Sequence, residues 1–158
     1  MSNTNKEAFS LSKVKLHPND GGLDAAYSVS HKQGEEISII ERQESSSQIV
    51  HPDLKLALDT LKPLVAQVFD FPDAKQEKIE IRGLAYSGSG SKKGVVITSV
   101  YETVSGKKVA LNTPRILVEG TEYGFEETLA AVSNRVKDEV YAYLFEGKSA
   151  QLSLFGEE

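Results

Sequence analysis

The sequence has no cysteine, which excludes disulfide bonds and the thiolate ligands of zinc and iron–sulfur sites. It also has no apolar run near the ~20 residues that a helix needs to cross a bilayer. The first ten residues, MSNTNKEAFS, lack the basic start and the apolar stretch of a secretion signal. These absences predict a cytoplasmic protein with no membrane segment.

Signatures of catalysis or of a bound cofactor are also missing. Residues 142–149, AYLFEGKS, match a relaxed phosphate-loop pattern, but a helix precedes them and bulky side chains fill the positions that must approach phosphate. Residues 88–94, GSGSKKG, join strand to strand, unlike a dinucleotide-binding loop. His17, His31 and His51 show no paired spacing, which favours turn or capping roles over metal binding. We therefore predict no catalytic residue, cofactor or metal, although an active site assembled from distant residues stays open.

The length and composition are typical of one globular domain. The chain has 158 residues, of which 39% are hydrophobic and 26% are charged. We expect a disordered lead over residues 1–9, a single domain over residues 10–147, and a flexible tail over residues 148–158.

The first half of the domain predicts three strands and a helix. Apolar and polar residues alternate over residues 11–16, 25–31 and 37–41, as in half-buried strands. The polar residues 42–48 are typical of a loop. The period then changes to that of a helix, within which Pro63 should bend or interrupt the backbone because proline lacks an amide hydrogen. The apolar stripe of this helix is Leu54, Leu58, Leu61, Val65 and Val68.

The second half repeats this order. Residues 78–86 alternate, with Ile79 and Ile81 predicted on one face and Arg82, Leu84 and Tyr86 on the other. Residues 95–104 are apolar on both faces, as in a central strand, and residues 109–119 form a strand that Pro114 breaks or confines to a sheet edge. A long helix is predicted from about residue 123 to residue 146, and Gly147 suits its C-terminal cap. Its stripe is Phe125, Leu129, Val132, Val136, Val140 and Leu144.

This order, βββα-βββα, predicts an α+β fold. We expect a mainly antiparallel sheet of about six strands with the two helices packed on one face. The halves share a plan without visible sequence identity. Tyr141 and Phe145 lie off the main stripe of the last helix, where they can support a homodimer or cover an edge of the core.

The charge is distributed unevenly along the chain. Between Arg82 and Arg115 there are six basic residues and a single acid, Glu102, so this segment carries +5 although the whole chain carries −5. Such a stretch can mark a surface for an anionic partner. The alternative is that lysines keep the hairpin turns solvated.

The last residues contain the one specific motif. Gln151, Leu152, Ser153, Leu154 and Phe155 read QLSLF. This resembles the peptide by which bacterial polymerases, mismatch-repair proteins and other replication factors dock on the ring-shaped DNA sliding clamp, and all five positions fit that pattern. The resemblance implies that Leu154 and Phe155 enter a hydrophobic pocket while Gln151 fixes the direction. The alternative is that these side chains fold back onto the domain.

The resemblance names a partner, the sliding clamp, and leaves three roles open. The first is a replication or repair accessory protein whose basic hairpins contact single-stranded DNA, with the tyrosines stacking on bases or simply packing within their strands. The residues predicted for these contacts are Arg82, Tyr86, Lys92, Lys93, Tyr101, Lys107, Lys108 and Arg115. The second is a regulator that occupies the clamp pocket without binding DNA, and the third is an enzyme recruited to DNA. The small α+β layout loosely resembles replication-region proteins encoded by bacteriophages.

Overall fold

The structure, a computed structural model, describes residues 8–119 and 124–149, without the side chains of residues 73–75. Its strands are β1 (Phe9–Leu16), β2 (Leu23–Gln33), β3 (Glu36–Ser46), β4 (Ile79–Ser87), β5 (Gly94–Glu102), β6 (Lys108–Asn112) and β7 (Ile116–Leu117). Its α-helices are α1 (Pro52–Asp59), α2 (Lys62–Val68) and α3 (Glu126–Phe145), and short 3-10 helices span Asp73–Lys78 and Gly90–Lys92. This order confirms the α+β class and adds a two-residue strand to the six that the sequence predicts.

All strands belong to one antiparallel sheet. The strand order is β3-β2-β1-β4-β5-β6, and β7 also pairs with β5. The first strands of the two halves therefore meet at the centre, where Val14 lies opposite Leu84. The buried residues of the inner strands point to the face that carries the helices, as predicted. We call the opposite side of the sheet the helix-free face.

Pro63 divides the first helical region, as predicted. Helix α1 ends at Asp59, and Pro63 occupies the first turn of α2, where a missing amide hydrogen costs little. The apolar stripe crosses the break, because Leu54, Leu58 and Leu61 are all buried. Among the described residues, no helix is long and apolar enough to cross a membrane.

Helix α3 closes one end of the core with aromatic side chains. The ring of Phe145 lies 5.9 Å from that of Phe9 and 5.8 Å from that of Tyr27, measured between centroids. Tyr141 is buried and lies 5.4 Å from Phe9. Tyr141 and Phe145 therefore cover an edge of the core, which was the alternative to their use as a dimer surface.

The prediction that β4 places Leu84 opposite to Ile79 and Ile81 is wrong. The register with β5 shifts between Ile81 and Gly83, so one extra residue is inserted and the later side chains change faces. As a result, Ile79, Ile81 and Leu84 are all buried beneath the helices. The bulge depends on pairing with β5, and the alternation of β4 alone does not reveal it.

Two predicted boundaries also change. Phe9, assigned to the disordered lead, starts β1 and is 1% exposed. Strand β3 continues to Ser46 through residues predicted as a loop, because β2 supplies a partner for each of its eleven residues. Backbone pairing thus holds a polar strand that side-chain patterning does not indicate.

Pro114 interrupts the last strand of the second half, as predicted. Strand β6 ends at Asn112 and β7 begins at Ile116. In the gap, the buried Thr113 takes over the pairing, since its hydroxyl oxygen accepts a hydrogen bond from the Ile97 amide at 2.9 Å. Strand β5, which has partners on both sides, is central, as expected from its apolar residues on both faces.

Candidate functional site

The lysines predicted to contact nucleic acid lie at opposite ends of one strand. Lys92 and Lys93 directly precede β5, whereas Lys107 and Lys108 follow its end. At ~3.3 Å per residue, the nine residues of β5 separate the two pairs by roughly 30 Å. The charge excess along the sequence therefore does not form a single basic surface.

Tyr86 is bound within the domain. Its hydroxyl donates a hydrogen bond to the Ser133 hydroxyl on α3 at 2.7 Å. The ammonium group of Lys93 lies 4.8 Å from the centre of the Tyr86 ring, within the range of a cation–π contact. Burial raises the pKa of Tyr86. A base that stacked on this ring would have to displace Lys93 or α3.

Tyr101 lies at the other end of β5, also on the side of the helices. Its ring centroid is 4.9 Å from that of Phe71, and it lies opposite Ile79 of β4. Tyr86 lies opposite Val95, six residues away along β5, which corresponds to about 20 Å. The two tyrosines therefore do not form one stacking platform.

Arg82 occupies the bulge of β4, between Tyr86 and Ile79, the residue that lies opposite Tyr101. Its Nε lies 3.1 Å from a carboxylate oxygen of Glu80, and its side chain is only 12% exposed. A partner anion would have to compete with Glu80, so Arg82 contributes little free positive charge to the surface.

Arg115 fastens the glycine-rich loop to the start of β5. Its guanidinium donates to the Ser87 hydroxyl at 2.8 Å, to the Ser87 carbonyl at 2.9 Å, and to the Lys92 carbonyl. The side chain passes so close to Gly94 that a Cβ there would lie 2.6 Å from the guanidinium carbon. Gly94 thus has a structural explanation, and Arg115 has a structural role.

We expect Gly94→Ala to destabilise the protein by about 1–2 kcal/mol, because Arg115 must move and lose hydrogen bonds. In an Arg115→Ala background the same substitution should cost far less, since the side chain that it meets is gone. Thermal unfolding of the two single variants and the double variant measures this coupling. Strictly additive effects would show that the close contact is not what makes alanine unfavourable at this position.

Lys148, Asp53 and Glu139 form an ionic cluster at the end of α3. Gly147 has a φ of 72°, a conformation that favours glycine, and it lets the Lys148 amide donate to the Ala142 carbonyl at 3.1 Å. The Lys148 ammonium then lies 3.0 Å from Asp53 at the start of α1 and 3.2 Å from Glu139 on α3. Burial lowers the pKa of Lys148, but its hydrogen bonds to Glu139 and Asp53 outweigh that effect and raise it. The same lysine lowers the pKa of Asp53.

Ser149 is also fixed on the domain. It forms an antiparallel β-bridge with Val50 and is 6% exposed. Nearby, the Tyr143 hydroxyl donates to the Gln48 carbonyl. Lys148 and Ser149, predicted as part of a flexible tail, therefore belong to the domain surface. Residues 151–155, the predicted clamp-binding residues, lie outside the described residues and follow two positions after Ser149.

The histidines support turns and caps where their contacts are defined. The two ring nitrogens of His17 each lie 2.8 Å from a carboxylate, Asp20 on one side and Asp24 on the other. His51 accepts a hydrogen bond from the Asp53 amide at 3.1 Å and caps α1. His31, expected at the edge of an element, lies within β2, two residues before its end.

The turn between β1 and β2 should therefore be sensitive to pH. Hydrogen bonds to Asp24 and Asp20 raise the pKa of His17 above 6.5. The pKa of Asp20 is lowered from 3.8 by the Gly22 amide and then by His17, and that of Asp24 is lowered by Ser45 and then by His17. The stabilisation from His17 is complete below pH 6.5 and is lost as pH rises through its raised pKa. The stabilisation from the aspartates is present above pH 3.8 and is lost as pH falls through their lowered values.

We expect His17→Gln to lower the melting temperature most between pH 3.8 and 6.5, and progressively less at higher pH. Thermal unfolding of both proteins over a pH series measures the difference. His31→Gln is the matched control, since His31 lies on another part of β2, away from both aspartates. A difference that stayed undiminished as the pH rose through the raised pKa of His17 would contradict this role of His17.

Two depressions on the described surface are lined by side chains of both charges. One depression of about 540 Å³ is lined mainly on the helix-free face, where Lys13 and Lys15 lie with Asp24, Gln43 and Ser45. A second, of about 330 Å³, is lined by three glutamates and three lysines: Glu77, Glu80, Glu102, Lys62, Lys78 and Lys108. Within residues 8–119 and 124–149, no three histidine or carboxylate side chains are placed to hold a metal.

Two features of the surface had no signal in the sequence. The cluster of Lys148, Asp53 and Glu139 joins residues 95 positions apart. The exposed isoleucines of β3 lie on a strand that the sequence predicts to be half its actual length. Only the pairing with β2 could have indicated the second feature.

Comparisons with protein-family models, with curated proteins and with solved structures find no match to this chain. The function therefore has to be argued from its own residues.

Proposed function

We propose that this protein docks on the bacterial DNA sliding clamp through Gln151–Phe155. The observation that carries the proposal is the agreement of all five residues, QLSLF, with the clamp-binding pattern. A cytoplasmic location, where the clamp acts on DNA, is part of the same proposal.

The surface next to the motif supports this proposal. Ser149 is held by Val50, and Lys148 is held by two carboxylates. The motif thus begins two residues beyond a fixed point on the domain. A peptide attached in this way loses less freedom on binding than one on a long linker, because its attachment point, Ser149, is fixed on the domain. With two apolar anchors, Leu154 and Phe155, we expect an affinity of about one micromolar.

Two roles for a clamp-docking protein differ in whether they need DNA contact. The distribution of basic residues favours a phage-type regulator that occupies the clamp pocket over an accessory protein that binds DNA. Lys92 and Lys93 are separated from Lys107 and Lys108 by the length of β5. The DNA-binding role would require salt-dependent binding to single-stranded DNA that weakens when these four lysines are neutralised. The regulator requires no such binding.

The test is capture of purified bacterial sliding clamp by the full chain, beside its Leu154→Ala/Phe155→Ala variant. Binding by the intact chain and loss of binding by the variant support the proposal. Equal binding by both proteins, or binding by neither, would overturn it.

A further inference from the structure

Strand β3 forms a long and uncovered edge of the sheet. It pairs with β2 over eleven residues, and in the part of the chain that the structure describes nothing pairs with its other side. Ten of these eleven residues are exposed. Unpaired edges of this length readily accept another strand.

The hairpin turn fixes which backbone groups face this edge. Gly34 and Glu35 form a two-residue turn between Gln33 and Glu36, and Gly34 has a φ of 63°. The residues that flank such a turn form a hydrogen-bonded pair, and hydrogen-bonded and non-hydrogen-bonded pairs then alternate. The amides and carbonyls of Ile37, Ile39 and Glu41 therefore point away from β2, toward the free edge.

Two apolar side chains are exposed beside this edge. Ile37 and Ile39 lie on the helix-free face and are each 66% exposed. Proteins usually protect edge strands with proline, lysine or a bulge. The sequence of β3, EISIIERQESS, contains neither proline nor lysine, and its pairing with β2 has no bulge. Three common protections against strand pairing are thus absent, and the charges that β3 does carry are those of Glu36, Glu41, Arg42 and Glu44.

The charges of β3 are complementary to those of a second, antiparallel copy. If Ile39 lies opposite the Ile39 of another chain, Glu36 lies opposite Arg42 of that chain, and Arg42 lies opposite Glu36. This register pairs residues 36–42 and is compatible with the pattern of free backbone groups, because Ile39 faces the edge. Neither Glu36 nor Arg42 forms an ion pair with another described residue at 4.0 Å or less.

We propose that β3 is the interface of a symmetric homodimer, in which two copies pair antiparallel around Ile39 and join their sheets. The Ile39 side chains of the two copies meet on the helix-free face. Two ion pairs, each between Glu36 of one copy and Arg42 of the other, fix the register on the opposite face. The interface leaves residues 43–50 and Ser149 uncovered, so it is independent of clamp docking.

Sedimentation velocity of the full chain, over about a hundredfold range of concentration, measures this equilibrium. Ile39→Lys places like charges opposite each other and should raise the dissociation constant of the dimer about tenfold or more. Ile49→Lys is the matched control, since Ile49 is 54% exposed and lies outside β3; it should leave the constant unchanged. Wild-type protein that remained monomeric at every concentration would overturn the proposal.

Charge exchange tests the register itself. Glu36→Arg and Arg42→Glu should each weaken the dimer at least about fivefold, because each substitution sets like charges opposite one another twice. The double variant restores both ion pairs and should dimerise as the wild type does. A double variant as weak as the single variants would rule out this pairing. The Leu154→Ala/Phe155→Ala variant should dimerise normally, which separates failure of this interface from failure of clamp docking.

Discussion

The Leu154→Ala/Phe155→Ala variant should bind bacterial sliding clamp at least about 100-fold more weakly than the intact chain. Binding by a short peptide depends on a few apolar anchors, and truncation of one such anchor typically costs about 2 kcal/mol. Since a factor of ten corresponds to about 1.4 kcal/mol, the loss of two anchors, about 4 kcal/mol together, raises a micromolar dissociation constant to about the millimolar range. Titration of labelled clamp with each protein measures both constants.

The matched control removes two exposed apolar side chains elsewhere. Leu56 on α1 is 55% exposed, and Val104 in the turn after β5 is 97% exposed, so Leu56→Ala/Val104→Ala should leave clamp binding unchanged. Thermal unfolding of both double variants shows whether either has lost its fold. If the control lost as much affinity as the Leu154→Ala/Phe155→Ala variant, clamp contact would have to be assigned to the domain surface.

The second large effect should come from Gly83→Ala, which we expect to destabilise the protein by about 3 kcal/mol or more. A Cβ at this position would lie 2.3 Å from the Val14 carbonyl oxygen and 3.0 Å from the Lys15 Cα. Both atoms belong to the backbone of β1, so no side-chain rotation can relieve the contact. The pairing of β1 with β4, where the two halves of the sheet meet, would have to open. Urea unfolding of the variant and the wild type measures the loss.

Gly94→Ala is the matched control for this prediction, because it makes the same change on the neighbouring strand. The Cβ at Gly94 would meet the Arg115 side chain, which can move, whereas the Cβ at Gly83 would meet backbone. Gly83→Ala should therefore cost more than Gly94→Ala. Equal costs would indicate that β1 yields as easily as a side chain does.

Local patterns in the sequence predicted much of the fold. Two apolar stripes, one that includes Leu58 and one that includes Val136, indicated helices, because burial on one side of a helix requires a period of 3.6 residues. Pro63 and Pro114 marked breaks, because proline removes a hydrogen-bond donor wherever it lies. The bulge at Arg82 and the continuation of β3 to Ser46 were not predictable in this way, since each depends on a partner strand.

The candidate site also has one part that the sequence could predict and one part that it could not. The motif from Gln151 to Phe155 is a local peptide pattern, so five consecutive residues are enough to suggest its partner. The nucleic-acid surface was inferred from nearness in sequence. In the fold, however, Lys93 and Lys107 lie at opposite ends of β5, and the Lys93 ammonium lies over the Tyr86 ring.

By itself, the sequence determined the α+β class, the order of the elements and the clamp-binding hypothesis, because each of these depends on residues close along the chain. Only the tertiary structure decided that the lysines are dispersed, that Ser149 is fixed beside Val50 and that β3 presents a free edge. The physical reason is that strand pairing brings together residues far apart in sequence, and their register is set by hydrogen bonds to a partner strand.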